Sequence, residues 1–595
     1  MDRTILQAAQ SFVRLVDGEL SEQIDLRKEW HGKLCQAYVT NRSQKTVHIR
    51  EVVLFAGPMT LASTSAFYGE GFQTLSQTAG TPGSPEAVSK YTDHGHYRMP
   101  QTPGMITAYN AVVLAEYDPL LMAFTSCRRF NGSFRISPER FEIVLDTEGL
   151  ALAPQQSWEL EEFFCETGPD RDELFAQLAA HIERHHPRLK ADIPAGWCSW
   201  YHYGPQISEQ DIFENMQAIS AQIPELRYIQ IDDGYQQAMG DWLTPGQLFR
   251  EGMPSLCQKI RSNGFEPAIW VAPFIAEQGS LLLQEHPDWF VKDADGQPLR
   301  SDQVSFGGWR KGPWYMLDGT HPAAQSYLEQ IFRVMREEWG CQYFKLDALM
   351  WGAMQGGRRY DASASRVEAY RQGMQAMLRG AGPGSFLLGC NAPVWPSLGL
   401  VHGMRVSGDI ARNWNTIASV AHECFWRNWQ HNRLWVNDPD CVVLANKPRQ
   451  ALLDNEPQTE AMTTVTEAEF LLHATAIYAT GGMVLSGDKM TALTKEHLAI
   501  LRKLLPPTGV AARFADLTQQ IGRVDLGDRL ALCLFNWEER PCRLNIPLDG
   551  TYQICDYWTG ADLGLCSGSI QLDDLPPHSA RLLMCYPVTD LCRSR

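Results

Sequence analysis

The sequence has no uninterrupted apolar run of some 18 residues, so nothing in it reads as a membrane-spanning helix. It has no basic tract of any length: 52 Lys and Arg stand against 69 Asp and Glu, a formal charge of −17. An anionic surface repels nucleic acid and acidic lipid, so neither is expected as a partner, and the charge reads as a solubility feature. The 15 cysteines are odd in number, scattered, and include no Cys-x-x-Cys pair. Such usage fits free thiols in a reducing compartment better than a disulfide framework. The opening MDRTILQAAQSFVRLVDGEL places Asp2, Arg3, Gln7, Gln10 and Arg14 among its apolar residues, which reads against a signal peptide. A cytoplasmic location is the expectation. No His-Glu-x-x-His occurs, and Asp93-His94-Gly-His96 and His185-His186 lack the spacing of metal ligands. They read as loop histidines, and no metal or organic cofactor is expected.

What is present is a chain of 595 residues, 44% hydrophobic, with 47 Gly, 34 Pro and 18 Trp. That length and composition describe a folded protein of several domains. Residues 1–185 read mainly as β structure, with alternating or β-branched runs at Gln36–Thr40, Val47–Leu54 and Phe141–Leu145. Segment 172–184, with its apolar residues at helical spacing, reads as a linker helix closing this domain. Across 190–508 the texture changes to short apolar strands separated by helix-length stretches. The strands are expected at Gly196–Trp200, Tyr228–Ile231, Pro267–Pro273, Tyr343–Leu346, Phe386–Gly389, Met404–Val406, Leu434–Val436 and Met483–Leu485. Helices are expected at 208–221, 326–339, 363–379 and 464–479, the first opening on Ser208-x-x-Asp211, close to a capping box. Eight such units predict a (β/α)8 TIM barrel. An open doubly wound sheet is the rival, but no Gly-x-Gly-x-x-Gly follows the first strand. Residues 509–595 lose helical spacing and predict a small antiparallel β-domain.

Several of the expected strands end in carboxylates: Asp232-Asp233 after the second, Asp347 after the fourth and Asp409 after the sixth. A single Asp in such a place is most simply a helix N-cap. That explanation serves any one of them and serves the set poorly, because in a barrel they all lie toward the same mouth. Trp200 and Trp270 alone would be core or rim packing; beside several carboxylates, aromatic faces and acids form a sugar-binding combination. Lys345 precedes Asp347 by two residues and so shares its face of the strand. An ammonium there favours an ionised carboxylate. Arg405, four residues before Asp409, can orient that acid or a sugar hydroxyl. For either base alone, an ordinary ion pair is the simpler reading.

At these residues the sequence resembles glycoside hydrolase family 36. The matching segments are Gly196–Tyr203, Gln230–Gly234, Lys345–Asp347, Leu388–Pro393, Gly403–Asp409 and Arg433–Cys441, in the family's order. The resemblance implies a retaining exo-acting α-galactosidase on a barrel preceded by a β-supersandwich. Asp347 would be the nucleophile and Asp409 the general acid/base. Asp232 and Asp233 would bind the 4- and 6-hydroxyls of a galactose-configured ring; Trp200, Tyr201 and Trp270 would wall the subsite. Lys345, Cys390, Asn391 and Arg405 would line it near the ring hydroxyls. Double displacement through a glycosyl-enzyme would need the two carboxyl groups roughly 5–5.5 Å apart. The partner would be a small oligosaccharide of the melibiose or raffinose type. An α-galactosyltransferase and an α-N-acetylgalactosaminidase are the alternatives, with an inert sugar-binding protein behind them. The sequence departs from the family at Asn391, where Gly is frequent, at Leu75, where an aromatic is common, and at Arg412, where Pro is expected.

Overall fold

In Leu34–Asn41 buried and half-buried residues alternate along almost the whole strand, the period-2 signature of one face turned to a core. Such strands fill the N-terminal region of the computed structural model, which describes residues 3–18, 23–59, 61–115, 118–447 and 464–588. Met1, Asp2, Glu19 and Leu20 of the leader reading lie outside the described residues, as do residues 589–595 of the expected last domain. The chain forms two compact units: Met1–Lys190, Gln236–Gln247 and Trp270–Gly403 make one, and Ala191–Tyr235, Leu248–Ile269 and Met404–Arg595 the other.

In the first unit a five-stranded sheet and a nine-stranded sheet are both built from antiparallel pairs. They are joined through aromatic rings. Phe55 and Phe134 of the smaller sheet meet Phe163 and Phe124 of the larger, with Phe55–Phe163 centroids 5.1 Å apart and Phe124–Phe134 centroids 5.8 Å apart. The linker helix runs Arg171–His185, capped by Asp170, whose carboxylate accepts from the N–H groups of Asp172 and Glu173. Its buried face is Leu174, Phe175, Leu178, Ala179 and Ile182, an i, i+4, i+8 stripe.

The eight-stranded sheet is a nearly closed parallel barrel. Its strands are β1 (Ala195–Cys198), β2 (Tyr228–Ile231), β3 (Glu266–Val271), β4 (Tyr343–Leu346), β5 (Phe386–Gly389), β6 (Gly403–Arg405), β7 (Val436–Asp438) and β8 (Val484–Ser486). They neighbour one another in the order β7-β6-β5-β4-β3-β2-β1-β8. At the seam between β7 and β8, the Met483 N–H donates to Asn437 O at 3.0 Å. Every residue of β4 and β5 is buried, as in strands covered on both faces, with Lys345 the one charged residue among the eight.

Four of the connecting helices arise near the expected positions: Glu209–Gln222, Pro322–Glu337, Arg366–Ala381 and Glu467–Thr480. Ser208 and Asp211 form the expected capping box. The second begins four residues before its expected start because Pro322 sits in its first turn and His321 caps it. Three differences matter below. Strand β1 stops at Cys198: Ser199 turns into helical conformation and Trp200 opens the short helix Trp200–Tyr203. Strand β7 is displaced two residues from its expected place, so Pro439 and Asp440 stand just past its end. Between β5 and β6 the chain makes one 3₁₀ turn, Trp395–Ser397, because 13 residues including Pro393 and Pro396 leave no room for a packed helix. After the barrel, six strands from Arg513 to Pro587 form an antiparallel sheet around Leu532, Leu534, Leu544, Ile546 and Leu583.

Of the histidines singled out, His94 and His96 lie in a loop as expected, whereas His185 ends the helix Arg171–His185 and His186 caps it. His94 Nδ1 donates to Met99 O at 3.1 Å, and His96 Nδ1 accepts from the Thr92 N–H at 3.2 Å. His186 Nε2 accepts from the Cys127 N–H, and His185 pairs with Glu162. Among the described residues no group of three or more His, Cys, Asp or Glu side chains is placed to hold a metal ion, and no helix is long and apolar enough to cross a membrane. Asp93 is buried, with Oδ2 accepting from the Phe72 N–H at 2.8 Å.

Two outcomes follow. Phe163→Ala empties the junction of the two sheets and lowers stability by about 3–5 kcal/mol in chemical denaturation, as for other buried Phe truncations. Burial pushes the Asp93 carboxyl up to about 6, against the opposing effect of the Phe72 N–H. A folded-state value above the unfolded one stabilises the protein fully below about pH 4, and that stabilisation is lost as pH rises through about 6. Asp93→Asn, which keeps the acceptor, removes this dependence. Between pH 4 and pH 8 the unfolding free energy of the variant rises by roughly 2 kcal/mol more, or falls by that much less, than that of the wild type.

Candidate active site

The two carboxylates singled out by the strand-end pattern belong to different compact units, and each has its own surroundings. In the first unit, Asp347 is the residue directly after β4. Its N–H donates to Val271 O at 2.8 Å, continuing the ladder onto β3 by one more bond. Both carboxylate oxygens accept: Oδ2 from the Trp270 indole N–H at 3.0 Å and Oδ1 from the Ala348 N–H at 2.7 Å. Ala348 has φ +52°, a left-handed conformation that costs an alanine free energy and turns the chain sharply into the 3₁₀ helix Leu349–Ala353. Trp270 is buried and meets Trp242 edge to face at 5.8 Å, which fixes the indole against Asp347. Lys345 is buried on β4 itself.

Cys390 and Asn391, also buried, follow β5. The Cys390 N–H donates to Leu346 O at 2.7 Å, and Asn391 O accepts from the Met350 N–H at 2.7 Å. Asn391 stands at φ +42°, a region that Asn tolerates better than most residues. Its Oδ1 accepts from the Tyr97 hydroxyl at 2.9 Å. The segment after it is paired to the N-terminal sheets: Thr74 N–H donates to Ala392 O at 2.9 Å, Val394 N–H to Phe72 O at 2.8 Å, and Gln73 bridges Pro393. The turn carrying half-buried Leu75 is therefore built onto the end of β5. Gly71 is needed there, since a Cβ would lie 2.1 Å from Ser76 O.

In the second unit, Asp232 and Asp233 follow β2 and are both buried. Asp232 Oδ2 accepts from Gln230 Nε2 at 2.8 Å, its Oδ1 from the Asp233 N–H at 3.0 Å, and its own N–H donates to Ser199 Oγ at 3.0 Å. Ser199 is thereby occupied at the point where β1 breaks, which places half-buried Trp200 and buried Tyr201 on the helix that follows. Arg405, the last residue of β6, is 1% exposed. Its Nη2 donates to Asp409 Oδ1 at 2.7 Å, Asp440 Oδ2 at 2.6 Å, Gly408 O at 2.8 Å and the Tyr201 hydroxyl oxygen at 3.3 Å. The Tyr201 hydroxyl in turn donates to Asp440, and burial pushes its pKa up. The Asp409 side chain is 67% exposed. Arg412 spans three loops: it donates to Ala445 O at 2.7 Å, Tyr201 O at 2.8 Å and Asp488 Oδ1 at 2.6 Å.

The side chains expected to act on or bind the sugar thus stand within or shortly after strands β1 to β6, toward their C-terminal ends. The sequence reading did not single out Tyr97, Glu423, Asp440 or Asp488. Asp488 had a visible signal. It closes Ser486-Gly-Asp488 after β8, the same tripeptide as Ser407-Gly-Asp409 after β6, yet it is 2% exposed and committed to Arg412 and the Leu444 N–H.

Residues 228–376 match the Melibiase family model. The chain is 30% identical over 180 residues, 28% of its length, to the A type blood α-D-galactosamine galactosaminidase of Flavonifractor plautii, and spans 16% of that relative. Its fold is similar to the α-galactosidase of Thermus thermophilus, with TM-score 0.62 and 23% identity over 84% of this chain and 98% of that one. It is similar also to the family 36 α-galactosidase of Geobacillus stearothermophilus, with TM-score 0.66 and 12% identity over 97% and 89%. Residues 228–376, which carry Asp232, Asp233, Trp270, Lys345 and Asp347, thus match the Melibiase model, and the fold of the chain is similar to that of solved α-galactosidases.

Proposed function

We propose that this protein is a retaining exo-acting α-galactosidase that removes terminal galactose from small oligosaccharides, with Asp347 as nucleophile and Asp409 as general acid/base. The observation that carries the reading is the contrast between the two carboxylates. Asp347 is half-buried and receives an N–H on each oxygen, an arrangement that holds a negative charge in a fixed direction. Asp409 is largely exposed, open to a leaving group and to water, with Arg405 orienting it through one oxygen. A nucleophile needs the first setting and a proton carrier the second.

Asp347 attacks the anomeric carbon as the glycosidic C–O bond breaks, and the bonding pair leaves with the oxygen, which takes the proton of Asp409. A water then gives its proton to Asp409 while its oxygen displaces Asp347, releasing galactose with its original configuration. In this reading Asp232 and Asp233 hold ring hydroxyls, and Trp200, Tyr201 and Trp270 supply apolar walls. Lys345, Cys390, Asn391 and Arg405 complete the polar lining. The Thermus relative is described in complex with p-nitrophenyl α-D-galactopyranoside and with stachyose, which supports small α-galactosides as the substrate class. The described cysteines are all free thiols, which supports a cytoplasmic location.

Asp347→Gly, offered an activated aryl α-galactoside with azide, is expected to lose hydrolysis by about 10³-fold or more and to form β-galactosyl azide, identified by NMR. Undiminished turnover, or an azide product of α configuration, would contradict the assignment.

A further inference from the structure

Asp440 lies just past β7, 3% exposed, with φ +76°. A left-handed aspartate persists only where its surroundings over-determine it, and here they do. Its Oδ2 accepts from Arg405 Nη2 at 2.6 Å, from the Ile410 N–H at 2.7 Å and from the Tyr201 hydroxyl. Its own N–H donates to Asp438 Oδ1 at 2.9 Å. One oxygen therefore gathers the end of β6, the loop after β1, and the backbone immediately beyond Asp409. On the other side of Asp409, the Gly408 N–H donates to Glu423 Oε2 at 2.6 Å, and Glu423 is also buried.

We infer that Asp440 is a positioning residue for the acid/base at 409, acting through Arg405 and the Ile410 amide; this rests on the role proposed for Asp409 above. Arg405 is a permanent charge placed 2.7 Å from Asp409, where it fixes the direction of that side chain. Asp440 pairs with the same guanidinium nitrogen at 2.6 Å, so the group that orients Asp409 is itself held in place. The Ile410 amide, held by the same oxygen, fixes the backbone from which Asp409 projects. These contacts lie within one compact unit and gather about Asp409, so their loss weakens proton transfer more than nucleophilic attack.

Asp440→Asn keeps the size and one acceptor oxygen, removes the charge, and suits a positive φ. It is compared with wild type on a dinitrophenyl α-galactoside, whose leaving group needs no proton, and on melibiose, whose leaving group does. The expected result is a fall of about 10²-fold or more in kcat/KM on melibiose against less than about 10-fold on the activated substrate. Azide, which needs no general base, should restore kcat on the activated substrate and give α-galactosyl azide. Equal losses on both substrates without azide rescue, or no loss on either, would overturn the inference. Asp440→Gly, which fits φ +76° with least strain and removes the acceptor altogether, is made in parallel and judged by the same split if the Asn variant does not fold. Asp409→Ala is the control. If it lacks the leaving-group split, the role of Asp409 itself fails; if it has the split and the Asp440 variants do not, only the inference about Asp440 fails.

Discussion

Arg405 is a guanidinium at the end of a barrel strand with almost no access to water. A buried cation is tolerable only when opposite charge and hydrogen-bond acceptors surround it, and leaving it unpaired costs several kcal/mol. That requirement brings Asp440, Asp409, Gly408 O and the Tyr201 hydroxyl to one point, and with them the loops that follow β1, β6 and β7. Arg412 repeats the arrangement nearby. Its donors hold the loops after β1 and β7, and its salt bridge to Asp488 ties in the loop after β8. Where a proline would have stiffened the chain after Asp409 by restricting φ, this protein uses a long cation to bind that chain to its neighbours.

The surroundings of Asp347 follow a different principle. Two of its donors are neutral, an indole and a backbone amide, and the indole is held by packing against Trp242. The strand ends beside it are fixed by backbone pairing: Asp347 to Val271, Cys390 to Leu346, and residues 392–394 to Phe72–Thr74. The N-terminal sheets thus contribute more than bulk. Through Tyr97 they hold the side chain of Asn391, and through the Gly71 turn they hold the backbone after it.

How much of this could be read from the chain depends on the range of the interaction. Strands β2, β4 and β5 occupy the residues expected of them, because each is a short, mainly apolar run ended by a polar residue or turn. The sequence pattern puts Trp200 on a strand because it continues an aromatic run; the hydrogen bond between the Asp232 N–H and Ser199 Oγ, which comes from another strand, holds the turn before it. Strand β7 was set two residues early for a similar reason, since Leu434-Trp-Val is more apolar than the Val-Asn-Asp that pairs. The two Ser-Gly-Asp tripeptides mark the limit. Asp409 is mostly exposed and Asp488 buried, and nothing local separates them; the difference lies in Arg405 and Arg412. Tyr97 and Asn391 are 294 residues apart and carry no shared local pattern.

The central claim is that Asp347 forms the covalent bond to the sugar. It is tested most directly by incubating the wild-type protein with a fluorinated α-galactosyl fluoride whose glycosyl-enzyme turns over slowly, followed by intact-mass and peptide mass spectrometry. The account predicts one added fluorogalactosyl group per chain, located at Asp347 and released when an acceptor sugar is supplied. A label on Asp409 or on any other residue, or turnover of the fluoride with no adduct at all, would contradict it.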